Sequence, residues 1–362
     1  MEQLNLIFLL IGMLNFAGGI ISIVSWFFIK RKYRKKPSLN GKEMVSIIIP
    51  SKGEINLKNF EEQEYKNYEI IVVVDNIEEK NKIENLKGKK TIVEISKNYE
   101  GCSGKNSALL AGIEKAKGEI FVFADDDIEP HPKWLKYLVS SLKNVSTTYR
   151  WYFKKPFLCV WNASVASVLF YKRFNFAWGG STAIRREIFE KLNVREIWKK
   201  NWVDDLTLTK VLKENGIEIK FVPEAISESR EEKKVLKWMN REFAWIRRYF
   251  PSLWRIALFF NLGMRISNVI GIFFIFIHPL IGFLLISPLL FDFFRGYQEY
   301  STFVKLMEYP KEKFLSPLYH VFLRPIASFT ISYNLISSIF TNKIEWKGKT
   351  YPIPEVSHQI KF

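Results

Sequence analysis

The chain has 362 residues, with 54 Lys and Arg against 37 Asp and Glu, for a formal net charge of +17. Hydrophobic residues make up 48% and aromatics 16%, enough to bury a large core and too many for a disordered chain. Cys102 and Cys159 have no paired spacing, which argues against a disulfide scaffold, and the scattered histidines (His131, His278, His320, His358) offer no zinc-ligand pair.

From Gln3 to Ile29 no residue is charged. A helix needs about 20 apolar residues to cross a bilayer, so residues 1–30 are expected to be a transmembrane anchor. A secretory leader would be positive before its apolar run. Here the cations follow it, as Lys30, Arg31, Lys32, Arg34, Lys35 and Lys36. That placement predicts an outside amino end and a cytoplasmic remainder at the cell membrane. Residues 31–43 form a basic linker. The excess charge is read as directed at membrane and phosphates; no zinc-finger or RNP spacing points to nucleic acid.

Between residues 44 and 255 strands alternate with helices. Val45–Pro50, Glu69–Asp75, Thr91–Ile95 and Glu119–Ala124 read as strands, and Ser103–Lys117 and Pro132–Leu142 as helices. This predicts an α/β domain with a mostly parallel sheet, whose ligands lie beyond the carboxyl ends of the strands. Those ends carry Pro50, Lys52 and Glu54, then Asp75, then Asp125-Asp126-Asp127. Three adjacent carboxylates repel one another unless a cation intervenes. In an extended segment Asp125 and Asp127 share a side, a D-x-D arrangement suited to Mg²⁺ or Mn²⁺ bridged to a diphosphate. The helix opening at Gly101-Cys-Ser-Gly-Lys-Asn-Ser has Ser103 as its cap, and its N–H groups with Lys105 could hold a phosphate. Asp204-Asp205 precedes another helical run. Either acid would suit a general base in a partly dry cleft, although the pair could equally be a helix cap. Tyr152–Tyr171 reads as a surface amphipathic piece or an internal helix.

Two further apolar stretches follow, Ile266–Phe294 and Pro317–Phe340. The first could be one tilted helix, or a helix plus an interfacial piece broken near His278-Pro279. Residues 256–341 are therefore expected to be membrane helices, with a cytoplasmic tail at 342–362.

The order Val45-Ser-Ile-Ile-Ile-Pro50, Val74-Asp75, Gly104-Lys105-Asn106, Asp125-Asp126-Asp127, Gly179-Gly180-Ser181, Arg185-Arg186-Glu187 and Asp204-Asp205-Leu206 resembles the family-two type of inverting glycosyltransferases, which share the GT-A fold. Pro50 to Gly53, Ile128 after the D-x-D, and the tail Ile344-Glu-Trp346-Lys-Gly348-Lys-x-Tyr351 look most like the ceramide glucosyltransferase branch. The resemblance implies a UDP-sugar donor, a lipid acceptor and a divalent cation. It implies that Asp75 contacts the uracil or ribose, Lys105 lies near the nucleotide, Asp125 and Asp127 bind ribose-diphosphate and metal, and Asp205 is the base. It also implies donor contacts from Arg241 and Trp245, in a (Q/R)xxRW-like motif where Ala244 replaces the expected Arg. Arg247 or Arg248 are candidate substitutes. A polyprenyl-phosphate sugar transferase and a polysaccharide synthase are the neighbouring enzyme readings; a basic membrane scaffold and a nucleic-acid binder are the readings outside enzymes.

Overall fold

The computed structural model describes residues 2–33, 39, 41–97, 99, 101–230, 234–346 and 349–352. Arg34, Lys35 and Lys36 of the basic run, Gly348 of the tail motif and the last ten residues lie outside the described residues.

The chain opens with helix α1 (Glu2–Lys32), then β1 (Val45–Pro50), α2 (Leu57–Glu61), β2 (Tyr68–Val74), α3 (Ile77–Glu84), β3 (Thr91–Ile95), α4 (Gly104–Lys115) and β4 (Ile120–Ala124). It continues through β5 (Ile128–Glu129), α5 (Trp134–Ser140), β6 (Val145–Thr147), β7 (Arg150–Trp151), α6 (Pro156–Ala166), β8 (Ser181–Arg185), α7 (Arg186–Lys191), α8 (Val194–Trp198), α9 (Asp204–Glu214), β9 (Ile219–Phe221) and β10 (Ser227–Ser229). Last come α10 (Val235–Tyr249), α11 (Pro251–Phe274), α12 (Pro279–Leu306), α13 (Pro317–Phe340) and the hairpin β11 (Lys343–Trp346) and β12 (Lys349–Pro352).

Seven strands form the central sheet in the order β3-β2-β1-β4-β8-β6-β9. Within it only β8 runs against the rest, so the mostly parallel α/β expectation holds. β1, β2 and β4 are near-continuous apolar runs because helices or loops cover both their faces. Ile47, Ile49, Val72 and Val122 pack toward Trp134 and α6, while Ile48, Val73, Phe121 and Phe123 pack toward α4, α7 and α8. α6 is mostly buried, which makes Tyr152–Tyr171 internal rather than a surface piece. Ser103 caps α4 as expected, its Oγ accepting from Asn106 N at 3.2 Å.

Among the described residues, three helices are long and apolar enough to cross a membrane: α1, α11 and α12. Ile266–Phe294 is therefore not one tilted helix. The chain turns at residues 275–278, as the His278-Pro279 step suggested, but each arm is of spanning length. Pro279 fixes the start of α12, since a proline at the first turn loses no intrahelical bond. α13 has the expected bounds but is not among these three. It buries His320 and Arg324, and Arg324 donates to Glu299 of α12 at 3.0–3.1 Å. Asn334 of α13 joins Trp161 of α6 (3.3 Å) and Asn240 of α10 (2.7 Å), tying the helical bundle to the α/β domain.

α1 lies against α12. A Cβ on Gly12 would sit 2.7 Å from Leu284 Cβ, and one on Gly19 would enter the Phe291 ring. Asn15 donates to Ser267 of α11 at 2.7 Å. Small residues and interhelical hydrogen bonds of this kind hold helices together where lipid removes the hydrophobic drive.

Candidate active site

The carboxyl ends of β1, β2 and β4 and the start of antiparallel β8 meet at one edge of the sheet; Ala124 is opposite Ser181. Past Pro50 the chain turns at Gly53, whose φ of +83° suits a residue without Cβ. The turn carries Lys52 to Asp75, with which it forms an ion pair, and Lys52 N donates to Asp126 Oδ2 at 3.2 Å. Asp75 is anchored in turn, its N–H donating to Glu79 Oε2 at 2.9 Å. Glu54 keeps its side chain exposed. Its carbonyl and that of Asp126 both accept from the Arg230 guanidinium, while Arg230 N donates to Asp127 O at 2.8 Å.

The centre of the cleft is Lys105. Its ammonium lies 2.7 Å from Asp125 Oδ1 and 3.3 Å from Asp204 Oδ2. Burial alone would lower its proton affinity, but Asp125, Asp204 and Asp205 outweigh burial and raise it. Lys105 is thus a bridge between the triplet and the acid pair, not a side chain standing free at a helix start. Gly179 makes the bridge possible: a Cβ there would collide with the Asp204 carboxylate and come within 3.0 Å of Lys105 Nζ.

Asp204 and Asp205 begin α9, where the helix dipole favours negative charge. They differ in surroundings. Asp204 is buried and held by Lys105. Asp205 is half-buried and accepts from Leu206 N (2.7 Å) and Gly179 N (3.4 Å). Burial, then the Asp204 charge, pushes the Asp205 carboxyl up to about 7, against the pull of Lys105 and with help from Glu242. Of the two acids, Asp205 is the one with access to the cleft and a proton affinity near neutrality, the properties of a general base.

Asp127 faces a cation that sequence reasoning missed. Arg150 on β7 brings Nη1 within 3.9 Å of Asp127 Oδ2. Its guanidinium lies 4.9 Å from the Trp178 ring centre and 5.1 Å from that of Trp238. Arg150 is buried, and its Nε has no hydrogen-bond partner among the described residues. The available signal was a lone charge in the otherwise uncharged run Val145–Phe153. Arg230 gave no such signal.

α10 closes the site. Arg241 pairs with Glu242 at 2.9 Å, and Glu242 acts electrostatically on both Asp205 and Arg150. Trp245 packs with Tyr249, Val203 and Leu206 beside the start of α9. Ala244 is fully buried, so the position where an Arg was expected has no room for one. Arg247 does not substitute for it, because it donates to the Ile339 carbonyl of α13.

No group of three or more His, Cys, Asp or Glu among the described residues could cage a metal. Asp125 and Asp127 still suit a magnesium-like ion. Such ions take one or two carboxylates and complete their shell with phosphate oxygens and water rather than with protein.

Residues 46–192 match the family model described as Glycosyl transferase family 2. The match contains the triplet, Arg150 and Gly179 and stops before Asp204. A dolichol-phosphate mannosyltransferase of Pyrococcus furiosus is 32% identical over 112 residues, covering 28% of this chain and 31% of that protein's length. Two solved structures are loosely similar. S. aureus TarS 1-349 has 13% identity and a TM-score of 0.40, over 88% of this chain and 98% of its own; GalNAc-T7 with UDP, GalNAc and Mn2+ has 15% and 0.40, over 62% and 52%. Likeness at that level fixes neither fold nor function. The sheet topology and the acidic edge define an α/β domain with a cleft at the carboxyl ends of its strands, and residues 46–192 of it are similar to glycosyl transferase family 2.

Proposed function

We propose that this chain is a membrane-embedded inverting glycosyltransferase that moves a hexose from a UDP-sugar to the hydroxyl of a lipid. One observation carries the reading. Asp75, the Asp125–Asp127 triplet and Asp204-Asp205, far apart in sequence, are drawn to one sheet edge by Lys52, Lys105 and Arg150. Asp75 holds the nucleoside, with Lys52 and the Pro50–Glu54 turn beneath it. Asp127 and Asp125 would hold a divalent cation, which when bound supplies positive charge to the leaving diphosphate. Asp205 takes the acceptor proton as its oxygen attacks the anomeric carbon, while Arg241 and Trp245 bound the acceptor side. The flanking helices α1, α11 and α12 cross the bilayer, with the basic end of α1 and the α/β domain on the cytoplasmic side. This geometry supports a lipid acceptor, because both ends of the catalytic domain are tied to membrane.

Calorimetric titration of the detergent-solubilised chain with UDP, with and without Mn²⁺, tests the donor half. Cation-dependent binding lost in Asp127→Asn is expected; no binding in either condition refutes it. Mass spectrometry of lipid extracts incubated with a panel of UDP-sugars tests the acceptor half.

Arg150 favours a second reading, in which the acceptor is a polyprenyl phosphate. A buried guanidinium with an unpaired Nε beside Asp127 suits a phosphate better than a neutral hydroxyl, and the Pyrococcus furiosus relative is a dolichol-phosphate enzyme by name. An acid-labile sugar-phosphate product would favour it; an acid-stable glycolipid would favour the first.

A further inference from the structure

A second feature lies where α1 leaves its apolar span. The side chains of Phe27 and Phe28 are 65% and 60% exposed, as expected of a surface in contact with acyl chains. One helical turn later, about 6 Å along the axis, Lys32 and Tyr33 line a small half-open cavity of about 100 Å³ with Phe170, Lys172, Glu218 and Lys220. Edge strand β9 supplies Phe221 inward and Lys220 outward. Trp26 packs on Phe170 at 5.7 Å and Ser25 Oγ lies 2.9 Å from Tyr171 Oη, so the helix end is seated firmly on this corner of the domain.

The charges in this cavity do not balance. Lys172 pairs with Glu218 at 2.7 Å. Lys32 and Lys220 both lean on Tyr33, 5.3 and 5.7 Å from its ring centre. Among the described residues that line the cavity, three ammonium groups face one carboxylate around an aromatic wall, with the charge of Glu224 acting on Tyr33 from behind the lining. The volume admits a phosphate group and little more. None of these residues belongs to the acidic edge of the sheet.

We infer that the cavity formed by Lys32, Tyr33, Lys172 and Lys220 binds the phosphodiester of an anionic phospholipid, with its acyl chains along Phe27 and Phe28 of α1. The inference rests on the reading of α1 as a membrane span and is independent of the sugar chemistry. An anionic headgroup neutralises cations that otherwise repel one another, and juxtamembrane lysines gain about five-fold in affinity each from an anionic lipid surface.

The test uses the full chain purified in detergent and native mass spectrometry to count retained lipids. The probes are short-chain phosphatidylglycerol, short-chain phosphatidylcholine and inorganic phosphate. Phosphatidylglycerol is expected to bind at saturable stoichiometry and phosphatidylcholine is not. Lys172→Gln with Lys220→Gln should weaken phosphatidylglycerol about 25-fold, while the charge-matched control Lys117→Gln with Lys191→Gln should leave it unchanged. Equal loss in the control, retention in the cavity variant, or equal binding of phosphatidylcholine overturns the inference. Inorganic phosphate binding as tightly as the lipid reassigns the cavity to a soluble anion and also overturns it. If the chain proves extractable without detergent, the membrane reading itself is at fault.

Discussion

Replacing Asp205 with Asn separates catalysis from stability. The amide is nearly the size of the carboxylate and keeps an oxygen for Leu206 N, but it cannot take a proton at the rate of a general base. A loss of about 10²–10⁴-fold in turnover is expected, with donor affinity nearly intact. The same substitution should strengthen the fold. The folded Asp205 carboxyl is raised from 3.8 to about 7, so the fold disfavours its charged form. The penalty is absent below the unfolded value, grows between the two values, and is complete above about 7. A rise of that size sets a ceiling on the order of 4 kcal/mol. Partial exposure screens some of this, and the weaker Gly179 N contact is given up at about 1 kcal/mol. The net gain expected above pH 7 is about 1–3 kcal/mol, shrinking toward pH 4. Thermal unfolding of variant and wild type at pH 5 and pH 8, with single-turnover sugar transfer at the same pH values, measures both halves. Wild-type turnover should rise with pH through about 7 as the base deprotonates. A variant with unchanged turnover, or a stability difference that does not widen from pH 5 to pH 8, refutes the argument.

Three further outcomes follow from the contacts. Gly179→Ala places a methyl group against Asp204 and Lys105; it should destabilise the domain by about 1–3 kcal/mol and abolish UDP binding, checked by melting and calorimetry. Lys105→Met removes the cation that bridges Asp125 and Asp204, with an expected cost of about 3–5 kcal/mol that acidification partly relieves, read from unfolding at several pH values. Gly19→Leu drives a side chain into Phe291 and should loosen α1 from α12, seen as faster proteolysis near the α1 end, without altering cation-dependent UDP affinity.

The strand and helix pattern was legible because each central strand buries both faces and so reads as an unbroken apolar run, while α4 carries its own cap at Ser103. The acidic triplet was legible because three adjacent carboxylates repel one another unless a cation meets them. The first apolar span was legible by length alone. Other features were not. Arg150 carried only the weak signal of a lone charge in an uncharged run, and packing alone shows it between Trp178 and Trp238 next to Asp127. The roles of Lys105, as a bridge, and of Gly179, as the space it needs, exist only where β4, α4 and α9 meet. The break near His278-Pro279 was one of two sequence readings, but that each arm is of spanning length, and that Arg324 is buried against Glu299, emerged only from the structure.

Local periodicity and charge thus determined strands β1 to β4, helices α4 and α5 and the apolar amino-terminal span, in their order, because hydrophobic burial and capping act over a few residues. The tertiary structure alone decided which acid of the Asp204-Asp205 pair stays part-exposed and which is clamped by Lys105, which cations meet the triplet, and why position 244 holds an alanine. Those outcomes are set by desolvation and Coulomb interactions, which depend on distance in space and not on distance along the chain.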